Sequence, residues 1–291
     1  MPRLLMSLAI FVVVVTVLTA CIRPSASSAA ILMSSTSDWM HLSSKAGDLP
    51  EPSGATEQTA SLILDVDKDG RQDFVIGCRR AGPAMVWYQR NTDGWTKHLI
   101  DDATLHIEAG GAFHDIDGDG DLDIVMGGDY QSNKVWWWEN PYPNYALDVP
   151  WTRREIKNSG ANKHHDQMFG DVDGDGEAEL VFWNQRAKKL FVADIPVDPE
   201  NAQPWSYQQI FSWSSGECEG LDQVDINGDG KMDILGCGRW FEHSGGTDFT
   251  PHIIDSSQAF ARVAAGQLKA GGRPEVVFVA GDGVGRLRWY E

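Results

Sequence analysis

Four stretches of the chain share one spacing of acids: DVDKDGRQD from Asp65, DIDGDGDLD from Asp115, DVDGDGEAE from Asp171 and DINGDGKMD from Asp225. They begin 50, 56 and 54 residues apart, a period of the size of a propeller unit. A chain locked to such a period must fold as repeated supersecondary units that bury their faces on one another. A fifth copy, GQLKAGGRPEVVFV, keeps the period but not the acids. Gln267, Lys269 and Gly271 stand where acids stood, and only Glu275 holds the last acidic position.

Other features keep step with the loops. Each is followed by an apolar strand (DFVIG, LDIVMGG, AELVFW, MDILGCG) and then by an aromatic one (MVWYQ, KVWWWEN, KLFVAD, GRWFEH, LRWYE). A third segment recurs as GWTKHLID at 94–101, WTRREIK at 151–157, WSYQQIF at 205–211 and FTPHIID at 249–255. With the short apolar segment before each loop this gives four strands per unit, bounded by Gly, Asp, Asn and Pro turns. The expectation is an all-β chain, a β-propeller of four-stranded blades over 37–291 with five blades. The last unit lacks its outer strand, and SDWMHLSS at 37–44 resembles that strand, with Trp39 and His41 echoing Trp95 and His98. Two readings stay open. Either the N-terminal strand completes the last blade and seals a five-bladed ring, or the chain is the front part of a longer, seven-bladed propeller.

The loops have the chemistry of a hard-cation site. Ca²⁺ takes six to eight oxygens, which a short loop supplies when alternate side chains and one carbonyl turn inward. Positions 1, 3, 5 and 9 are Asp65, Asp67, Asp69 and Asp73; Asp115, Asp117, Asp119 and Asp123; Asp171, Asp173, Asp175 and Glu179; Asp225, Asn227, Asp229 and Asp233. Position 7 (Arg71, Asp121, Glu177, Lys231) would lend its carbonyl, so its side chain is free to vary. Position 6 is always glycine, which tolerates the positive φ of a chain folding round an ion. The spacing predicts about four structural Ca²⁺ sites. The closing acid falls at position 9 and a strand follows it, unlike the helix–loop–helix site, whose closing glutamate is at position 12.

Asp and Glu number 42 against 24 Lys and Arg, for a formal charge of −18. Such a surface repels phosphate backbones, which excludes nucleic acid as a partner. The N-terminus MPRLLMSLAIFVVVVTVLTAC has one early cation, an apolar run too short to favour a bilayer span, and small residues before Cys21. It resembles the lipobox of bacterial lipoproteins, which implies a signal peptide at 1–21, lipidation of Cys21, a Ser/Ala-rich tether at 22–36 and a place in the bacterial cell envelope. Membrane attachment would then be by the lipid alone, and a monomer is expected. Of the other cysteines, Cys218 and Cys237 flank one loop, and export permits a disulfide between them. Buried free thiols are the commoner outcome and the expectation here.

The DxDxDG loops, Phe169-Gly170 before Asp171, and Ala81-Gly82-Pro83 after the first apolar strand together resemble FG-GAP (VCBS-type) repeats, found in integrin α-subunit propellers and many bacterial surface proteins. The resemblance implies that calcium in these loops is structural. It covers about 37–291, with an incomplete FG/GAP signature in most units. More weakly, HHDQMFGDVDGDGEAELVFWNQ and EGLDQVDINGDGKMDILGCGRWFEH are similar to the propeller portion of aldos-2-ulose dehydratase-like proteins.

Function is therefore sought away from the acids, on the opposite face near the axis. Residues six to nine positions before each loop are polar there: His106 and Glu108, then His164 and His165, then Glu217 and Glu219. The loops after the second strands add Arg79, Arg80, Tyr130 and Gln185. One reading makes this face a surface-binding module for a glycan or protein partner, with His106, Arg79, Arg80, Tyr130, Gln185 and Glu217 as contacts. The other takes His164, His165, Glu108 and Glu219 as acid/base groups or metal ligands of a carbohydrate lyase or dehydratase. No GxSxG elbow, HExxH helix or phosphate-binding glycine loop occurs.

Overall fold

A computed structural model describes residues 39–281 and 284–291. Residues 42–291 form one compact unit of five antiparallel sheets in chain order. Blade 1 holds β1 (Thr56–Leu64), β2 (Asp73–Arg80), β3 (Met85–Asn91) and β4 (Gly94–Asp101). Blade 2 holds β5 (Ala112–His114), β6 (Asp123–Gly127), β7 (Val135–Glu139) and β8 (Thr152–Lys157). Blade 3 holds β9 (Gln167–Gly170), β10 (Glu179–Asn184), β11 (Lys189–Asp194) and β12 (Gln208–Ser212). Blade 4 holds β13 (Asp222–Val224), β14 (Asp233–Gly236), β15 (Arg239–Gly245) and β16 (Asp248–Ile253). Blade 5 holds β17 (Ala261–Gly266), β18 (Glu275–Ala280) and β19 (Arg288–Tyr290). Among the described residues the only helical pieces are two three-residue 3-10 turns, and no helix is long and apolar enough to cross a membrane. The expected five-bladed, all-β propeller is the fold.

Blades are buried on both faces, which is why their strands are almost continuously apolar. In β7, VWWWE, Trp136 and Trp138 turn toward blade 1 and pack with Leu62, Val75 and Trp87. Val135 and Trp137 turn the other way, onto Leu180 and Phe182 of blade 3. Equivalent layers join blade 3 to blade 4 around Trp183 and Phe241, and blade 4 to blade 5 around Leu235 and Phe278. The indole N–H groups are partly satisfied inside: Trp87 donates to Asp73 at 3.0 Å and Trp138 to Asp101 at 2.9 Å.

Two expectations are corrected. Of the two readings left open for the last unit, completion by 37–44 is not seen: residues 39–44 supply no strand to blade 5, which has three among the described residues. Residues 39–43 carry no strand, and a 3-10 turn follows at Ser44–Ala46. Local side-chain bonds compete with strand pairing at this point: Ser43 Oγ accepts from Ala46 N at 3.1 Å, and Asp48 accepts from Ser43 N at 3.0 Å. Ser37, Asp38 and the lipobox Cys21 lie outside the described residues. The second correction is that Cys218 and Cys237 are not free thiols but a disulfide. Cys218 precedes β13 and Cys237 follows β14, and antiparallel pairing of those strands brings the Cα atoms to 4.6 Å. Cys78 is the buried free thiol.

Candidate functional site

The four acidic loops join the first and second strands of blades 1 to 4 and share one internal ladder. The glycine N–H at position 6 donates to the position 1 carboxylate: Gly70 to Asp65, Gly120 to Asp115, Gly176 to Asp171 and Gly230 to Asp225, at 2.8–3.2 Å. Those glycines have φ of 85–95°, as the repeated glycine slot requires. Position 3 accepts from the N–H of position 5, and position 5 from that of position 7, in all four loops. The ladder aims carboxylates inward. Oxygens of Asp65, Asp67 and Asp73, of Asp115, Asp117 and Asp119, and of Asp171, Asp173 and Glu179 come within 4.8 Å of one another. Asp115 Oδ1 is buried with no hydrogen-bond partner. This all-oxygen donor set suits a hard divalent cation in those three loops. In the fourth, Asn227 turns its amide nitrogen to Asp229 Oδ2 and Glu242 Oε1.

The position 9 acids do a second job that the spacing alone did not reveal. Asp73, Asp123 and Asp233 are buried, and each takes the N–H of loop position 2 on Oδ2 and an N–H at the third strand on Oδ1. Glu179 spends Oε2 on Val172 N and Asp173 N. Glu275 in the fifth unit does the same with Leu268 N and Lys269 N, which explains why the fifth loop keeps this acid alone. Burial pushes these carboxyls up: Asp73 to about 6, Asp123 to about 8 and Glu179 to about 7. Asp121, at position 7, has a buried side chain, pushed up to about 7 by burial and by Asp119. In the fifth loop the Gln267 amide donates to the Lys269 and Gly271 carbonyls, placing a neutral donor amid the loop.

On the opposite face the candidate catalytic residues do converge, into a buried charge network to which every blade contributes. His165 Nε2 lies 3.0 Å from Glu219 and 3.9 Å from Glu108, and Nδ1 lies 3.0 Å from Asp166. Arg262 of blade 5 reaches Glu219 at 2.6 Å, and Arg79 of blade 1 pairs with Glu108 and approaches Asp129 at 3.5 Å. Burial opposes the His165 imidazolium, but its hydrogen bonds to Asp166 and Glu219 outweigh this and push it up to about 9. Asp166, at φ 44°, is held well below the usual carboxylate range: burial opposes this, and His165 and Arg262 overcome it. The fit is close, since a Cβ on Gly110 would stand 2.5 Å from Asp166 Cα.

His164 is a separate matter. It is fully buried, its Nε2 accepts from Asn184 Nδ2 at 3.0 Å, and burial followed by the charge of Lys157 pushes it down to about 3. It is a neutral packing group. Gln185 donates to Cys218 O and Glu219 inside the wall. Glu217 pairs with Lys163 at 2.6 Å, and Arg80 turns outward to Glu57 at 2.7 Å. The His164, His165, Glu108 and Glu219 set is thus consumed by packing and ion pairs. Arg262, from the fifth innermost strand, escaped sequence reasoning because nothing in its unit repeats it.

Beside the network on the same face lies an open groove of ≈ 570 Å³, lined by Gln131, Ser132, Asn133, Lys134, Gly160, Ala161 and Asn162. It forms where the β6–β7 loop meets the segment leading from β8 to β9. His106 Nδ1 lies 3.0 Å from Gln131 Nε2, Asn162 Nδ2 donates to Tyr130 O, and the Tyr130 side chain is 48% exposed at the edge. Of the ligand-binding candidates, His106 and Tyr130 are the two that adjoin this groove.

An all-β propeller with acid loops on one face and a buried ion network on the other is the class defined by these features. Residues 115–182, spanning the second and third acidic loops, match the family described as FG-GAP-like repeat, and they lie within a five-bladed β-propeller. No curated protein matches it. Solved structures similar to it include the V. cholerae biofilm matrix protein Bap1 (TM-score 0.46, 14% identity, covering 76% of this chain and 34% of that one). Others are rhamnogalacturonan lyase YesW (0.43, 13%, 77% and 47%) and the β-fructofuranosidase of Schwanniomyces occidentalis (0.43, 12%, 78% and 53%). The chain spans about a third to a half of the length of these proteins.

Proposed function

We propose that the protein is an exported, calcium-stabilised β-propeller, lipid-anchored at Cys21 in the bacterial envelope, that binds a glycan in the groove between the β6–β7 loop and the β8–β9 segment. The observation that carries this reading is the composition of that groove. Amides and hydroxyls (Gln131, Ser132, Asn133, Asn162) line it, small residues (Gly160, Ala161) form part of its wall, and Tyr130 stands exposed at its edge. Amides match the paired donors and acceptors of sugar hydroxyls, and an exposed aromatic offers a face to the apolar side of a sugar ring. The loop acids would hold calcium in the scaffold, on the face away from the ligand. Acid/base catalysis by His164, His165, Glu108 and Glu219 is disfavoured, because a general base needs a lone pair within reach of substrate, and here those groups are buried against one another.

The test is calorimetric titration against a panel of oligosaccharides, with Tyr130→Ala and Gln131→Ala beside the unmutated protein. Each substitution is expected to weaken binding about tenfold without moving the melting temperature. Unchanged affinity in both variants, or absence of binding by any panel member, overturns the reading.

A further inference from the structure

Lys157 ends β8 directly behind this groove and is 2% exposed. Its ammonium donates to three backbone carbonyls, of Asn133 at 2.8 Å, Ser159 at 2.5 Å and Ala161 at 2.9 Å. Two of those residues line the groove. The neighbouring lysines are neutralised: Lys134 pairs with Glu155, and Lys163 with Glu217. No carboxylate pairs with Lys157 among the described residues. Three carbonyls satisfy its N–H groups but carry no net charge, so a full positive charge remains in the wall, shielded from solvent. Burying such a charge without a counter-ion is costly, and a ligand supplying the counter-ion recovers part of that cost.

We propose that the groove selects a saccharide carrying an isolated carboxylate, a uronic acid unit seated over Lys157, in preference to the corresponding neutral sugar. The inference rests on the glycan reading above. The acidic surface as a whole does not contradict it. At physiological salt, exposed charges act over about 8 Å, so a dense polyanion is repelled, whereas one carboxylate meets the nearer and less screened ammonium. Burial holds Lys157 low, at about 8, so its cationic form predominates at pH 7 and thins out above that value.

The experiment offers tri- and tetrasaccharides in pairs that differ only in whether one sugar C6 is a hydroxymethyl or a carboxylate, measured by calorimetry at pH 7. The carboxylate member is expected to bind at least about tenfold more tightly, with an advantage that shrinks as salt is raised. Lys157→Met should abolish that advantage. Asn133→Asp keeps every hydrogen bond to Lys157, places an acid one side chain away, and should abolish it too, so the test survives a misfolded Lys157→Met. Equal affinity within the pairs overturns the inference and leaves the glycan reading standing. So does a preference undiminished in Asn133→Asp. Failure of every saccharide to bind overturns the glycan reading itself.

Discussion

His165 and His164 are adjacent imidazoles driven in opposite directions by what surrounds them. His165 is raised to about 9, so its contribution to stability is complete below its ordinary value near 6.5 and disappears as pH rises through 9. That contribution is on the order of 3 kcal/mol. His164 is lowered to about 3, so its contribution is present above 6.5 and is lost as pH falls. Calcium-saturated protein is therefore expected to be most resistant to urea near neutrality, with the alkaline limb flattened in His165→Gln; midpoints at pH 5, 7 and 9 check this. How much of this was legible differs by residue. Glu108, His165 and Glu219 stood out because polar residues there interrupt apolar segments. Arg262 is the one cation of its strand and Lys157 the last of three in TRREIK, and only the folded propeller shows which of them lies beside an acid and which does not.

The acidic loop was the most legible element, because an ion site constrains residue type at fixed offsets and each repeat tests the pattern again. What spacing hid is that position 9 also ties its loop to the blade. Glu275 isolates that role, since it sits in a unit without the other acids. Glu275→Met is expected to cost about 1–3 kcal/mol for the lost acceptor, equally with and without a chelator. Asp73→Asn should cost more in calcium than in its absence; urea titrations of both variants in each condition separate the two jobs. Aromatic third strands such as VWWWE were equally plain, because two-sided burial demands them. The 37–44 segment was misleading because Trp39 and His41 copy the side chains of an outer strand, while the bonding of Ser43 and Asp48 favours a turn. The Cys218–Cys237 bond was open in the sequence because it depends on how two strand ends pair.

At the scale of the molecule, crowded carboxylates lie on one face and nearly balanced charges lie at the opposite end of the axis. On the proposed calcium reading, removing the ion leaves the first unbalanced. Exhaustive chelation is expected to lower the melting temperature by about 10 °C or more, and no change would remove calcium from the scaffold. The axial network has a different consequence, for descent. The acidic loops of the first three blades are near copies in spacing and donor set. The residues each blade sends to the axis are not copies: an arginine from the first, a glutamate from the second, a histidine and an aspartate from the third, a glutamate from the fourth and an arginine from the fifth. Replacing the third unit by a copy of either neighbour would bury a carboxylate beside its like. A chain of near-identical modules thus carries, in the histidine of its third blade, one residue that no other blade can supply, because it stands between glutamates sent by both neighbours.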